Sequence, residues 1–449
     1  MQLIDTQLSS TWFPAAKPDK DNNQFNLEVT AAQGSYLVTA KHGEIYDAIS
    51  SWWCKPLGHC HPIITKSIRE QLKLFEHHIP AKSWNSNIEK LSKRLVQIFT
   101  QMDKVIYASD GSSAVEIAMK LSYETRVLEQ QAYRSKYIAL NGAYHGETIF
   151  TLGVCGIKYY KTNYSGLLQD NYFIEDIPYV DGQNDPLWLD CNFDYNYWNN
   201  FFTHTAQNAT ALIIEPLVQG AAGMKIISRD FLIKIINLAR NHNLHIIADE
   251  IMVGLGRLGY YSVSKELLNF EPDIVCFAKN LTAGAIPMSA VVINHSISQV
   301  FRKHQKAFLH SHTHSCNGLA AAAANSYLDY LDNSNILTQV KLAEIKLIEI
   351  MNDLKNSFAF IKQTRVIGTI AALELNLPIR MLEDIFNIGI EEQIYLRPIG
   401  NTLYIMPPIY NIKHDLELIQ TKLHLVLQKI STLINKNCNY LPSKCRHVP

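Results

Sequence analysis

The sequence predicts an α/β protein with a large, mainly parallel sheet and a smaller α+β part built from both ends of the chain. From about residue 104 to residue 292, short apolar runs alternate with amphipathic segments, as strands and covering helices do in a parallel sheet. Two of these runs end directly on ionisable side chains, Asp249 and Lys279. Further strands and helices are predicted on both sides of the alternating region.

The composition is that of a globular protein large enough for two or three domains. Of its 449 residues 47% are apolar and 18% charged, and 41 basic residues balance 41 acidic ones. Zero net charge argues against nucleic acid or an anionic membrane as the main partner. No apolar run approaches the roughly 20 residues of a membrane span, and residues 1–20 do not resemble a signal peptide. The eight scattered cysteines predict free thiols and a cytoplasmic location.

The first hundred residues predict a hairpin followed by two helices. Segments 34–39 and 43–49 carry alternating apolar positions across a short turn. Apolar residues then recur at helical spacing over 62–74 and over 86–99.

Six strands are predicted in the alternating region, at 105–108, 136–140, 211–214, 244–248, 274–278 and 289–293. Helices at 113–128 and 229–241 fall between them. Residues 181–200, rich in polar residues and aromatics, predict a long surface excursion.

The last third predicts helices at 320–331, 336–354 and 415–430, with strands within 366–375, 394–398 and 402–406. We therefore divide the chain into a large domain, residues 61–330, and a small domain. The small domain is formed by residues 1–60 and 331–449.

Lys279 and Asp249 carry the strongest chemical signal. If their strands are parallel neighbours, both side chains enter the crevice at the carboxyl ends of the strands, where open α/β sheets bind ligands. A lysine that forms a Schiff base and an aspartate for a pyridinium nitrogen are the pair that pyridoxal phosphate (PLP) needs. The alternative is a structural lysine–acid pair, but a lysine in an apolar site is costly unless it is paired or functional.

Gly111 and Ser112 open a helix directly after a predicted strand. A glycine permits close backbone approach, and hydroxyl and free N–H groups at a helix start bind anions. Phosphate is the natural ligand, and ordinary helix capping by serine is the alternative. The nearby Lys279 and Asp249 favour phosphate.

Two further strand ends add polar groups to the same edge of the sheet. Tyr144 follows strand 136–140, where its ring can lie against a flat heteroaromatic ligand or pack as a turn aromatic. Glu215 ends strand 211–214, either as a functional acid or as a solvated acid before a turn proline.

Two other motifs carry less weight. Residues 254–259 match G-x-G-x-x-G, but five residues separate them from the strand and no helix start follows, so a nicotinamide dehydrogenase is a secondary alternative. His310, His312 and His314 alternate as ligands on a metal-binding strand can, yet no acidic residue flanks them. We predict no metal site.

The motifs resemble those of the class III (subgroup II) aminotransferases, which are PLP enzymes of fold type I. The general motifs are Ile247-Ala-Asp249-Glu250, Ala278-Lys279-Asn-Leu-Thr282 and Gly111-Ser112. The subgroup motifs are Ser50-Ser-Trp-Trp53, Tyr144-His-Gly146, Asn317, Leu396-Arg-Pro398 and Tyr404-Ile-Met-Pro-Pro408. The resemblance spans about residues 12–408. It implies a mainly parallel seven-stranded sheet, PLP as cofactor and a homodimer with shared active sites.

The resemblance implies a role for each matching residue. The implied catalytic residues are Lys279, Asp249 and Tyr144. The implied cofactor-binding residues are Gly111, Ser112, Tyr144, Asp249, Lys279, His312 and Thr313, the last two acting across the dimer interface. The implied substrate-binding residues are Trp52, Trp53, Tyr144, Arg257, Ser311 and Arg397, the last as a carboxylate clamp.

The resemblance is greatest to the biotin-synthesis branch of the family. It implies transfer of an amino group from S-adenosylmethionine to 8-amino-7-oxononanoate (KAPA), which gives 7,8-diaminononanoate (DAPA). The chain departs from the branch at four positions, with Ala15 for tyrosine, Glu147 for aspartate, Ser311 for glycine and His312 for proline. These departures leave lysine possible as the donor. An ω-amino acid or diamine transaminase and a non-catalytic protein of the same fold are further alternatives.

Overall fold

The computed structural model describes residues 11–15 and 27–437. Their strands are β1 Val29–Gln33, β2 Tyr36–Thr39, β3 Gly43–Asp47, β4 Met102–Ala108, β5 Lys136–Leu140, β6 Tyr172–Ile174, β7 Tyr179–Val180, β8 Ala209–Ile214, β9 Val218–Gln219, β10 Lys225–Ile227, β11 His245–Asp249, β12 Ile274–Phe277, β13 Ser289–Asn294, β14 Ile361–Ile367, β15 Ile370–Leu375, β16 Ile394–Tyr395 and β17 Thr402–Ile405.

The α-helices of the same residues are α1 Ser50–Trp53, α2 Pro62–Leu72, α3 Ser86–Gln97, α4 Gly111–Leu128, α5 Ile149–Leu152, α6 Lys158–Lys161, α7 Tyr195–Thr205, α8 Arg229–Asn241, α9 Val263–Glu266, α10 His295–Lys303, α11 Gly318–Asn333, α12 Ile336–Ser357, α13 Ile379–Glu391 and α14 Ile412–Asn437. Short 3-10 turns occupy Thr162–Leu167, Pro186–Trp188 and Lys279–Thr282.

The central sheet has seven strands in the order β4-β13-β12-β11-β8-β5-β6. All neighbours pair in parallel except β13, which runs antiparallel to both β12 and β4. The prediction of a mainly parallel seven-stranded sheet is therefore confirmed, and the six predicted strands all belong to it. The sequence analysis missed β6, which is only three residues long.

Helices cover both faces of this sheet, as the alternation of strands and helices predicts. On one face, buried residues of α4 pack against Ile213, Ile247 and Ile274. On the other face, α8 packs against Leu212 and Ile246, and α11 against strand residues further along the sheet. Successive residues of one strand serve opposite faces, so the strands are buried on both sides.

Two smaller sheets, β1-β2-β3-β16 and β14-β15-β17, accompany the central one. Helices α12, α13 and α14 contribute with them to a second apolar core. The predicted hairpin is confirmed as β2 and β3. The predicted strand segment 366–375 divides into β14 and β15, because Gly368, with φ of +57°, makes the turn between them.

The division into domains stays a prediction, and residues 1–10, 16–26 and 438–449 lie outside the described part of the chain. The signal-peptide interpretation of residues 1–20 falls largely on these residues. Within the described ranges, no helix is long and apolar enough to cross a membrane.

The excursion at residues 181–200 is more deeply packed than predicted. Trp188 and Trp198 are each only 5% exposed and belong to the largest apolar cluster. Trp198 lies edge-on to Phe231 of α8, with the ring centroids 5.5 Å apart. The segment therefore anchors α7 to the body of the sheet, while residues such as Tyr195 and Tyr197 remain exposed.

We expect Gly58→Ala to lower the melting temperature more than Gly43→Ala. Gly58 has φ of +69°, and an added Cβ would lie 2.4 Å from the Gly34 carbonyl oxygen. Gly43 is the matched control because its φ is +66° but nothing lies within 4 Å of the added Cβ. Both variants bear a backbone strain of about 1–2 kcal/mol, and only Gly58→Ala adds a clash. Equal melting temperatures would contradict this account of the turn.

Candidate active site

A cavity of about 390 Å³ lies at the carboxyl ends of the central parallel strands. Asp249, the last residue of β11, and Lys279, two residues beyond β12, both line it. In the paired register Asp249 lies opposite Cys276, so the two strands deliver the acid and the lysine to the same edge. The volume is within the range of small-molecule sites.

Lys279 enters the cavity from a strained backbone. Its φ is +38°, unusual for a residue with a side chain, and the residue begins a 3-10 turn. The ammonium nitrogen lies 4.5 Å from the centre of the Trp53 ring. Burial lowers the pKa of Lys279, and the negative charges of Asp249 and Glu215 oppose that effect. A lysine that sheds its proton readily is suited to nucleophilic and base chemistry.

Asp249 is held by a buried histidine. Its Oδ2 lies 2.8 Å from Nδ1 of His145, and its Oδ1 accepts a hydrogen bond of 3.2 Å from the Ile251 N–H group. His145 is buried, and its Nε2 has no partner among the described residues. We therefore assign the Nδ1–H tautomer, which donates to the carboxylate and fixes its orientation.

The start of α4 forms an anion cradle. Asp110, not a serine, caps the helix by accepting the Ser113 N–H group at 2.9 Å, so serine capping does not account for Ser112. Ser112 Oγ faces Gly146, where an added Cβ would lie 2.2 Å from it. Both Gly111 and Ser112 line the cavity. This arrangement fits a phosphate group at a helix N-terminus.

Tyr144 links two acids. Its hydroxyl donates to Oε1 of Glu147 at 2.8 Å, and its backbone N–H donates to Oε1 of Glu215 at 2.9 Å. The ring is half-buried, lines the cavity and lies 5.2 Å from the Tyr160 ring. Tyr144 therefore has the position that the sequence predicts for a residue beside a flat ligand.

Glu215 and His145 line the cavity, although the sequence analysis assigned neither a role in the site. Glu215 is only 7% exposed, so the alternative of a solvated acid at the strand end is wrong. Burial raises the pKa of Glu215 to about 7, with His145 opposing the rise and Asp249 adding to it. The sequence signal that could have identified Glu215 was its place at the end of β8. The register pairs Ala248 with Ile214, so the next residues along, Asp249 and Glu215, are neighbours across the strands.

The two tryptophans occupy different positions. Trp53 is buried beside Lys279 and donates from Nε1 to the Tyr404 hydroxyl at 2.9 Å. Trp52 is 49% exposed, and the Arg397 guanidinium lies 4.2 Å from the centre of its ring. Neither residue lines the cavity, so their predicted roles in substrate binding stay predictions. No carboxylate of the described residues pairs with Arg397. The stacked pair leaves the guanidinium edges available for an acid.

Arg257 is placed differently from the prediction, because it does not line the cavity. It is fully buried, and its guanidinium donates to the Pro407 carbonyl at 2.6 Å and to Thr369 Oγ1 at 3.3 Å. Burial lowers the pKa of Arg257 to about 10. The side chain thus connects the loop after β11 to segments near β15 and β17.

Ser311, His312 and Thr313 also lie outside the cavity of their own chain. Ser311 and Thr313 are exposed, and His312 is half-buried with Nε2 3.0 Å from Nε2 of His310. Their predicted roles across a dimer interface stay predictions.

The structure gives the two weaker motifs no ligand site. Residues 254–259 form a loop that α9 follows only at Val263, so no helix N-terminus meets the glycines as a dinucleotide site needs. Among residues 11–15 and 27–437, no group of three or more potential metal ligands occurs, and His310, His312 and His314 form none.

Known proteins are similar in sequence to this chain over nearly its whole length. The family profile of class III aminotransferases matches residues 17–427. An adenosylmethionine-8-amino-7-oxononanoate aminotransferase of Helicobacter pylori is 33% identical over 425 residues, which cover 92% of this chain and 94% of that protein. A protein of the same name from Corynebacterium glutamicum is 27% identical, covering 93% and 96% of the two chains.

A solved structure agrees with the sequence relatives. The adenosylmethionine-8-amino-7-oxononanoate aminotransferase of Methanocaldococcus jannaschii superposes with a TM-score of 0.85 at 25% identity, covering 94% of this chain and 97% of that one. PLP fits the cavity, since Lys279, the buried Asp249 and the Gly111–Ser112 cradle each match one of its functional groups. The chain therefore belongs to the class III aminotransferases and is a PLP-dependent transaminase.

Proposed function

We propose that this transaminase converts KAPA to DAPA in biotin synthesis, with S-adenosylmethionine as the amino donor. The observation that carries the proposal is the Arg397 guanidinium stacked on Trp52, the chain neighbour of the cavity-lining Trp53, with no acid of the described residues paired to it. KAPA carries its carboxylate and its reacting ketone at opposite ends of an aliphatic chain. A cation on an aromatic surface, set apart from the lysine, suits that shape. The names of the relatives support the same reaction.

The chemistry divides between the cofactor and the chain. Bound PLP supplies an electron sink for the carbon that loses a proton. Lys279 would hold the cofactor, and its nitrogen in the cavity would move the proton between the donor carbon and the cofactor. Asp249 would pair with the pyridine nitrogen, and His145 holds its carboxylate in place. Gly111 and Ser112 bind the phosphate.

The rest of the site binds and orients substrate. Tyr144 and Trp53 present aromatic surface to the cavity and limit the water in it. Arg397 binds the distal carboxylate through charge-assisted hydrogen bonds. Trp52 keeps the guanidinium in position from the exposed side.

We also propose a cytoplasmic homodimer in which His312 and Thr313 complete the phosphate site of the opposite subunit. Support comes from their positions, since neither side chain reaches the cavity of its own chain. Ser311 would approach the substrate in the same way. The cysteines of the described residues are all free thiols, which suits a reducing compartment.

An absorbance titration tests the function directly. The purified protein with PLP should show a visible band that disappears when S-adenosylmethionine is added alone, and subsequent KAPA should restore it. Donor and acceptor are thus tested separately on one sample. A band that ignores S-adenosylmethionine but responds to lysine would move the donor assignment to lysine, and Ala15 would be the residue to examine. A restored band with ω-amino ketones but not with KAPA would overturn the proposal.

Arg397→Ala should raise the KM for KAPA by about 10- to 100-fold, because a hydrogen-bonded charge contributes roughly 1.5–3 kcal/mol. The value of kcat and the KM for the amino donor should change little. Arg380→Ala, an exposed arginine at the start of α13, is the matched control and should leave every constant unchanged. If the two variants have the same KM for KAPA, Arg397 does not bind the carboxylate.

Subunit mixing tests the shared site. Lys279→Ala and the double variant His312→Ala/Thr313→Ala should each be poorly active alone. After co-refolding in equal amounts, half of the dimers are mixed and each contains one intact site, so about a quarter of wild-type activity should return. Two Lys279→Ala preparations mixed together are the control. No recovery from mixed dimers would show that the loop acts within its own chain or not at all.

A further inference from the structure

Glu215 is a buried acid without a basic side chain bonded to it. Its residue is 7% exposed and lines the Lys279 cavity. Oε1 accepts the Tyr144 N–H at 2.9 Å, and Oε2 accepts the Gly220 N–H at 3.3 Å. Among the described residues, no lysine, arginine or histidine forms an ion pair with it. An unpaired buried carboxylate is costly, so a purely structural role would be served at lower cost by a neutral side chain.

The position of Glu215 follows from the sheet. It directly follows β8 and, by extension of the paired register, lies beside Asp249 on the neighbouring strand. The titratable groups that interact with it electrostatically are His145, Asp249, Lys279, Tyr179 and Cys155. These groups come from β7, β11 and the segments that follow β5, α5 and β12.

Glu215 is a second carboxyl group in the Lys279 cavity, in addition to that of Asp249. Asp249 already supplies one carboxylate to the Lys279 cavity and is bonded to His145, whose Nε2 has no partner among the described residues. Burial raises the pKa of Glu215 to about 7. The carboxyl therefore changes from neutral to anionic near pH 7, in the same cavity as Lys279.

We propose that Glu215 is a positioning residue that sets how firmly the Lys279 nitrogen holds its proton. The inference rests on the proposed function in one respect, that Lys279 carries the cofactor. A neutral Glu215 lets the lysine nitrogen lose its proton. An anionic Glu215 holds that proton in place through its negative charge.

The charge of Glu215 determines in which direction it shifts the visible pH titration of the holoenzyme. Glu215 is neutral below about pH 7 and anionic above it. The anion favours the protonated, cationic nitrogen, so the wild type should keep that proton to a higher pH than a variant without the acid. Glu215→Gln should lower the midpoint of the visible pH titration of the holoenzyme by about one pH unit. The amide oxygen can still accept the Tyr144 N–H group.

Two comparisons separate this role from a structural one. Glu147→Gln removes an exposed acid that also bonds to Tyr144, and solvent screening should leave its titration at the wild-type midpoint. The wild-type curve is itself informative, because two interacting groups titrate over a wider range than a single proton does. If Glu215→Gln does not fold, the width of the wild-type titration curve tests the role of Glu215.

The outcomes distinguish this inference from the proposed function. A wild-type protein without a visible band in the presence of PLP would overturn both. A visible band with the same midpoint in wild type and Glu215→Gln would overturn the role of Glu215 and leave the transaminase proposal intact. A wild-type titration curve with the width expected for a single proton would also overturn the role of Glu215 and leave the transaminase proposal intact. A lowered midpoint in Glu215→Gln alone supports the inference.

Discussion

The parallel pairing of β8, β11 and β12 is the constraint on which the site depends. Three adjacent strands end at one edge, so Glu215, Asp249 and Lys279 are brought together by backbone hydrogen bonds rather than by contacts among themselves. The antiparallel β13 then separates β12 from β4 without adding another carboxyl end to that edge. A shift of one residue in any of these registers would turn an acid or the lysine toward the opposite face.

The cost of burying charged groups in this part of the protein is offset in different ways. Asp249 is hydrogen-bonded to His145, and Arg257 donates to a backbone carbonyl and a hydroxyl. Lys279 has no such partner and responds through a lowered pKa. The pKa of Glu215 is raised instead. A structural ion pair would keep both groups charged, whereas these two shifts favour the exchange of protons, which transamination requires.

The tryptophan segment lines one side of the cavity from a strained turn. Ser50, Ser51 and Trp53 all have positive φ, although none is a glycine. The buried Asp47 carboxylate holds the turn by accepting the Ser51 N–H at 2.7 Å and the Ser51 hydroxyl at 3.0 Å. His59 approaches the same carboxylate at 2.8 Å. The turn directs Trp53 to the cavity and leaves Trp52 exposed.

The sequence by itself determined the fold class, the six long strands and the placement of Lys279 and Asp249, because strand periodicity and strand-end residues are local features of the chain. It also identified Gly111, Ser112 and Tyr144, which lie on strand exits. Only the tertiary structure decided that Arg257 is fully buried and bonded to the Pro407 carbonyl, that Glu215 lies beside Asp249, and that Asp110 provides the helix cap. Those outcomes depend on strand order, register and the competition among neighbouring polar groups, which connect residues far apart in the chain.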